Sequence, residues 1–152
     1  MKYISDFHTV QQAKEYLQEN IDTGVECPCC GQFAKIYKHR LNSQIAKTLI
    51  GMYTLGDRSI HILNELKPSN RMYSLARFWG LIEPTEVMVR GNKKASGYWK
   101  LTEKGKLFVE DKETIAEYVL LFNNKHYGFK GDEVDIKYCL GKKFNYQELM
   151  TI

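Results

Sequence analysis

Residues 42–109 set the tightest limit on what this chain can fold into. Apolar side chains recur at helical spacing over residues 43–55, with Ile45, Leu49, Met52 and Tyr53 on one face. Gly56-Asp57-Arg58 breaks the pattern. Ser59 can then cap a second helix over residues 59–66, with Ile60, Leu63 and Leu66 inward. Lys67-Pro68-Ser69-Asn70 is a turn: Pro68 ends the second helix, and Ser69 or Asn70 caps a third over residues 71–79. Met72, Leu75, Ala76 and Trp79 give that third helix an apolar face, and Gly80 is placed to close it.

A basic hairpin follows. Val87 and Val89 alternate with Glu86, Met88 and Arg90, as a strand requires. Residues 91–97 form a flexible, lysine-bearing tip between Gly91 and Gly97, residues 98–101 return, and Thr102 caps a short helix to about residue 110. This is the order of a helix-turn-helix followed by a wing. B-DNA's major groove, about 12 Å wide, admits one helix braced by a second. On the outer side of the third helix Arg71 and Arg77 can approach guanine edges or phosphates. Tyr73 can contact a phosphate or a thymine methyl, and Asn70 and Ser74 are short hydrogen-bonding groups. Arg90, Lys93, Lys94 and Lys100 can grip the adjacent backbone or minor groove. From residue 71 to 106 eight basic side chains stand against three acidic ones, a local +5 that exceeds the +4 of the whole chain. Such a concentrated field suits phosphate binding.

The flanks are mixed. Val10, Ala13 and Leu17, with Tyr16 alongside, predict a helix over residues 9–20 capped by Thr9. Residues 25–26 and 33–38 read as two strands around a cysteine turn. Beyond residue 111, residues 117–122 read as a strand. Asn123-Asn124-Lys125 is a turn, and Tyr127-Gly128-Phe129 pairs back. A helix is expected over 132–140, starting at Asp132-Glu133, with Val134, Ile136, Cys139 and Leu140 available for burial. The expected fold class is therefore α+β. A winged helix-turn-helix core occupies 42–110. An N-terminal helix and cysteine-knuckle hairpin occupies 1–41, and a small C-terminal αβ extension at 111–152 packs on the core.

Cys27-Pro28-Cys29-Cys30-Gly31 has the CPxCG form of a zinc knuckle, with Cys27 and Cys30 as the metal-binding pair. Zinc takes four ligands, and the candidates for the remainder are Cys29, His39, His126 and Cys139. His39 lies too far along if residues 33–38 form one strand rising about 3.3 Å per residue. A site shared between two chains, or a turn that holds no metal, remains open.

No apolar run approaches the ~18 residues of a membrane span, and residues 1–6 lack the layout of a signal peptide, so a cytoplasmic protein with reduced thiols is expected. Histidines 8, 39, 61 and 126 form no ligand-spaced pair, and no phosphate-binding loop, nucleophile elbow or HExxH sequence is present. The expectation is a non-enzymatic protein.

Leu75-Ala76-Arg77-Phe78-Trp79-Gly80-Leu81-Ile82 and Tyr98-Trp99-Lys100-Leu101-Thr102-Glu103-Lys104-Gly105 resemble winged-helix proteins of the MarR and PadR types. That resemblance implies the winged fold and double-stranded DNA as partner. The whole chain also resembles small bacteriophage and prophage proteins. The matching stretches are the CPxCG knuckle, Tyr37-Lys38-His39-Arg40-Leu41-Asn42-Ser43, Trp79-Gly80-Leu81-Ile82-Glu83 and Leu140-Gly141-Lys142-Lys143-Phe144. This implies a phage regulator or accessory factor in the cytoplasm of an infected bacterium. The competing expectation is a phage protein that binds and inhibits or redirects a host protein, such as a polymerase or a defence complex.

Overall fold

The computed structural model describes residues 2–89 and 93–151 and is a mixed α+β structure, as expected. It divides into two compact units, residues 1–39 with 118–130 and residues 40–117 with 131–152. The segments expected at 1–41, 42–110 and 111–152 do not each form a unit, and the last contributes to both.

In the first unit, helix α1 (Val10–Asn20) begins at Thr9 through a reciprocal cap. The Thr9 hydroxyl accepts from the Gln12 backbone N–H at 3.1 Å, and Gln12 Oε1 accepts from the Thr9 N–H at 3.2 Å. Ala13 is buried and Val10 is exposed, so the inward face starts one turn later than the spacing predicts. Strand β1 (Val25–Glu26) pairs antiparallel with β2 (Phe33–Ala34). The expected strand over 33–38 does not run through. The Ile36 N–H donates to the Ile21 carbonyl at 3.0 Å instead of to a strand partner, and β3 (Tyr37–Arg40) belongs to a different sheet.

The second unit is organised by helix α2 (Ser43–Leu55), whose bounds match the expectation. Asn42 caps it, accepting from the Ile45 N–H at 3.0 Å. Ile45, Ala46, Thr48, Leu49, Ile50 and Met52 are all buried, so the helix is enclosed on most of its circumference. The expected second helix is largely replaced. Ile60–His61 form strand β4, and only Ile62–Glu65 coil as α3, with the His61 ring nitrogen Nδ1 accepting from the Asn64 N–H at 3.3 Å. Pairing of Ile60 with Trp99 and His61 with Tyr98 draws these residues into a sheet and overrides their helical periodicity.

A 3₁₀ helix (Met72–Trp79) follows and ends at Gly80, which adopts the left-handed conformation at φ 74° as expected. Then come β5 (Ile82–Pro84), β6 (Val87–Val89), β7 (Lys93–Ala95) and β8 (Tyr98–Leu101). The first sheet of this unit has the antiparallel order β4-β8-β5, and β6 pairs with β7 as a separate hairpin. Residues 93–95, expected in the flexible tip, are thus paired strand.

Helix α4 (Glu103–Val109) starts from Thr102, whose hydroxyl accepts from the Gly105 N–H at 3.0 Å and donates to the Gly80 carbonyl at 2.5 Å. This fastens α4 to the end of the 3₁₀ helix. Strand β9 (Ile115–Phe122) and β10 (Lys125–Val134) form a hairpin through Asn123 and Asn124, whose φ values of 51° and 61° define a tight two-residue turn. With β3 they make a sheet of order β10-β9-β3, along whose strands the chain leaves one unit for the other. The expected helix over 132–140 is shorter. Asp132 and Glu133 lie in β10, and α5 (Ile136–Leu140) begins only at its Asp135 cap. Helix α6 (Tyr146–Met150) had no signal in the apolar pattern. No helix among the described residues is long and apolar enough to cross a membrane.

Gly105 carries a sharp test of this packing. A Cβ there would lie 2.0 Å from the Leu81 carbonyl oxygen. In an open helix Gly→Ala gains about 1 kcal/mol. Here backbone crowding outweighs it, so Gly105→Ala is expected to destabilise by about 1–3 kcal/mol net, as overpacking does. Thermal unfolding should show Tm falling by several degrees. A raised Tm would mean that α4 does not sit against the Leu81 backbone.

Candidate nucleic-acid interface

Of the described residues expected to face DNA, Tyr73, Ser74 and Arg77 sit on the 3₁₀ helix, Asn70 and Arg71 precede it, Lys93 and Lys94 fall on β7 and Lys100 on β8. An α-helix would leave Tyr73 and Trp79 roughly 120° apart around the axis, whereas about 3.0 residues per turn stacks residues three apart. The buried row is accordingly Tyr73, Ala76 and Trp79. This corrects two expectations. Tyr73 is only 8% exposed and packs edge-on against Trp99, with ring centroids 6.5 Å apart, so it is a core residue and not the outward-facing group expected. Met72, expected inside, is 37% exposed. Trp79 donates from Nε1 to the Ala116 carbonyl at 2.7 Å and anchors the helix from below.

The same winding aligns Arg71, Ser74 and Arg77 on another row. The two arginines are exposed, Ser74 is half-buried, and its hydroxyl donates to the Arg71 carbonyl at 3.3 Å. With a rise near 2.0 Å per residue, Arg71 to Arg77 spans about 12 Å along the axis. The Arg77 guanidinium rests 4.6 Å from the Phe78 ring centroid, which restrains the side chain while leaving it at the surface. Asn70 is exposed, but its side-chain oxygen accepts from the Met72 N–H at 2.9 Å, so half of its amide serves the turn. Ser69 does not cap the helix, because its hydroxyl donates to Gln44 Oε1 at 3.0 Å.

On the sheet, Lys100 stands opposite Glu83, with Nζ 3.8 Å from a carboxylate oxygen. Both are well exposed, and such a pair is worth little. It still means that Lys100 meets a phosphate only by leaving Glu83. Lys93 and Lys94 fall on β7, in register with Val89 and Met88. Arg90 lies outside the described residues, as do the side chains of Lys93 and Lys94. The Gly97 bend, at φ 85°, brings the hairpin base against His61, whose Nε2 would be 3.0 Å from an added Cβ.

The cysteine knuckle is a closed turn. The Cys27 N–H donates to the Gln32 carbonyl at 2.7 Å, and the Gly31 N–H donates to the Cys27 carbonyl at 2.8 Å. Backbone N–H groups of Cys30 and then Cys29 point at the Cys27 sulfur and hold its pKa below that of an ordinary thiol, against a smaller opposing effect of burial. Partial desolvation, then the neighbouring Cys27 charge, pushes Cys29 up. Burial pushes the Cys139 thiol up to about 12, which keeps it a neutral packing group in the second unit. Among the described residues no three His, Cys, Asp or Glu side chains converge to hold a metal. Tetrahedral zinc takes four ligands, and among the described residues no such group gathers around Cys27 and Cys30.

Compared with known proteins, the chain matches no family model, no curated protein and no solved structure.

The thiol electrostatics predict an order of reactivity. A lowered pKa puts thiolate on Cys27 at lower pH, so its alkylation should rise at a lower pH than that of Cys29. Exposure alone gives the opposite order, because Cys29 is the more exposed. Residue-resolved mass spectrometry after brief iodoacetamide pulses between pH 6 and 10 would measure both profiles. Coincident profiles would remove the role assigned to the Cys29 and Cys30 amides.

Proposed function

We propose that this chain is a non-enzymatic winged helix-turn-helix protein that binds double-stranded DNA, acting as a bacteriophage regulator or accessory factor in the host cytoplasm. One observation carries the proposal: Arg71, Ser74 and Arg77 form a polar row beside the buried row Tyr73, Ala76 and Trp79, about 120° round the axis. That row lies on the element that follows a helical turn and precedes a basic hairpin. The order α2, β4, α3, 3₁₀ helix, β5, hairpin, β8, with β8 between β4 and β5, is compatible with a winged helix-turn-helix. In this reading the 3₁₀ helix approaches the major groove and Lys93 and Lys94 meet the flanking backbone. Arg77 reads a base edge, whereas Tyr73 braces the helix from inside.

A second reading, a surface that binds a host protein, is favoured by one feature. A cleft of about 510 Å³ runs along α2, with Ile50, Leu55, Leu66, Pro68 and Leu149 among its walls. Apolar clefts of that kind suit an aliphatic or aromatic anchor more than phosphate.

Salt dependence separates the two. Neutralising four to six phosphates gives a log–log slope of roughly −4 to −5 for duplex binding. Joint replacement of Lys93 and Lys94 by alanine should weaken specific and random duplexes equally. Arg77→Ala should instead reduce discrimination between sites by about 1–3 kcal/mol. A titration on random and selected duplexes between 50 and about 300 mM salt measures both. No binding at low salt, or a flat response, would hand the case to the protein-binding reading.

A further inference from the structure

The first unit carries a second cationic surface that the helix and hairpin do not use. Along β9 the buried side chains are Ile115, Val119 and Leu121, so Tyr118, Leu120 and Phe122 lie on the opposite, partly open face. Flanking strands bring lysines to that face. Lys38 of β3 holds its ammonium 4.6 Å from the Tyr118 ring centroid, and Lys130 comes from β10. Lys35, between β2 and β3, stands 5.6 Å from the ring of Tyr37. Lys35, Lys38, Lys130 and Tyr37 line a recess of about 520 Å³ with Leu120 in its wall and, among the described residues, Asp22 as its sole carboxylate. Among the described residues none of these three lysines has a carboxylate within ion-pair distance.

We propose that this recess binds single-stranded DNA, with Lys35, Lys38 and Lys130 on the phosphates and Tyr37 stacked on a base. Three ammonium groups facing one carboxylate call for an anionic occupant. The aromatic ring decides which one. Tyr37 is 51% exposed. A ring left open beside lysines offers a base its π-face and a phosphate its counter-charge in the same place. Duplex DNA keeps its base faces inside the stack and has nothing to lay on Tyr37. An acidic peptide would neutralise the lysines and leave the ring unused. The principal contacts are ring faces and ammonium groups, so binding tolerates sequence and does not require a 2′-hydroxyl. The surface is independent of the duplex-binding proposal and stands or falls without it.

The test is fluorescence anisotropy of the full chain with a labelled twelve-nucleotide oligo-dT at about 50 mM salt. Three lysine–phosphate contacts on a single strand give a log–log salt slope of roughly −2, well below the duplex value. Charge reversal by Lys38→Glu with Lys130→Glu should weaken oligo-dT binding at least about tenfold and leave duplex affinity unchanged. Tyr37→Ala should cost about tenfold, and Tyr37→Phe, which keeps the ring, should retain binding; its folding is checked by circular dichroism. Arg77→Ala should leave oligo-dT binding alone. The proposal is overturned by absence of oligo-dT binding, or by equal affinity of all these variants. It is also overturned if polyglutamate binds as tightly as oligo-dT without needing Tyr37, which would mark a surface for acidic proteins. Oligo-U bound at least about tenfold tighter than oligo-dT would overturn the assignment to DNA.

Discussion

The burial of α2 is the constraint on which the second unit depends. Ile45, Leu49, Ile50 and Met52 are each about 1% exposed, and each such side chain contributes about 1.5–3 kcal/mol by leaving water. A helix buried on most of its faces must be surrounded, and α2 contacts the 3₁₀ helix, α4, α5, α6 and β8. Those neighbours are short and could not hold their own conformations in isolation. Their geometry is therefore inherited from the shape they must cover. The 3₁₀ winding follows from this. Tyr73 reaches Trp99 on one side, and Trp79 reaches the Ala116 carbonyl on the other, only if residues three apart share a line. Poorer hydrogen-bond geometry over eight residues is offset by the burial of Tyr73, Ala76 and Trp79.

That winding also decides what the surface offers. With 3.6 residues per turn, Tyr73 would join Arg71, Ser74 and Arg77 as an outward group. With about three, the aromatic turns inward and the two arginines line up. A change of period in one short helix thus narrows the candidate contacts to a polar row and removes the residue best suited to touch a thymine methyl.

Much of this architecture was legible in the residues. Thr9 and Thr102 cap the helices they were expected to cap, and Gly80 closes the helix before it. The bounds of α2 and β8 follow from local pattern, because their caps and turns are themselves local. What local pattern missed was set at a distance. Residues 60–61 look helical until Trp99 and Tyr98 pair with them, and the break at residues 35–36 depends on the Ile21 carbonyl. Of the candidate interface, the exposure of Arg71 and Arg77 agrees with what residue type and position suggest. The spacing of three between Tyr73, Ala76 and Trp79 was visible, but the helical period assumed for it was not the one adopted. The lysine-lined recess had no linear signal, since Lys38, Leu120 and Lys130 meet only when β3, β9 and β10 come together.

The chain crosses between its two units at residues 39–40, 117–118 and 130–131, and this has a consequence for biosynthesis. The first unit cannot close when residues 1–39 leave the ribosome, because most of β9 and of β10 is made only after residues 40–117 have emerged. At roughly 5–20 residues per second, its N-terminal part waits several seconds for those strands. During that interval the unpaired edge of β3 and the apolar side of α1 have no covering partner from their own chain. The second unit is completed later still, because α5 and α6, which pack on α2, are made only after residue 130. In a nascent chain of this design every residue of the lysine recess has been made before the last helices around α2 exist.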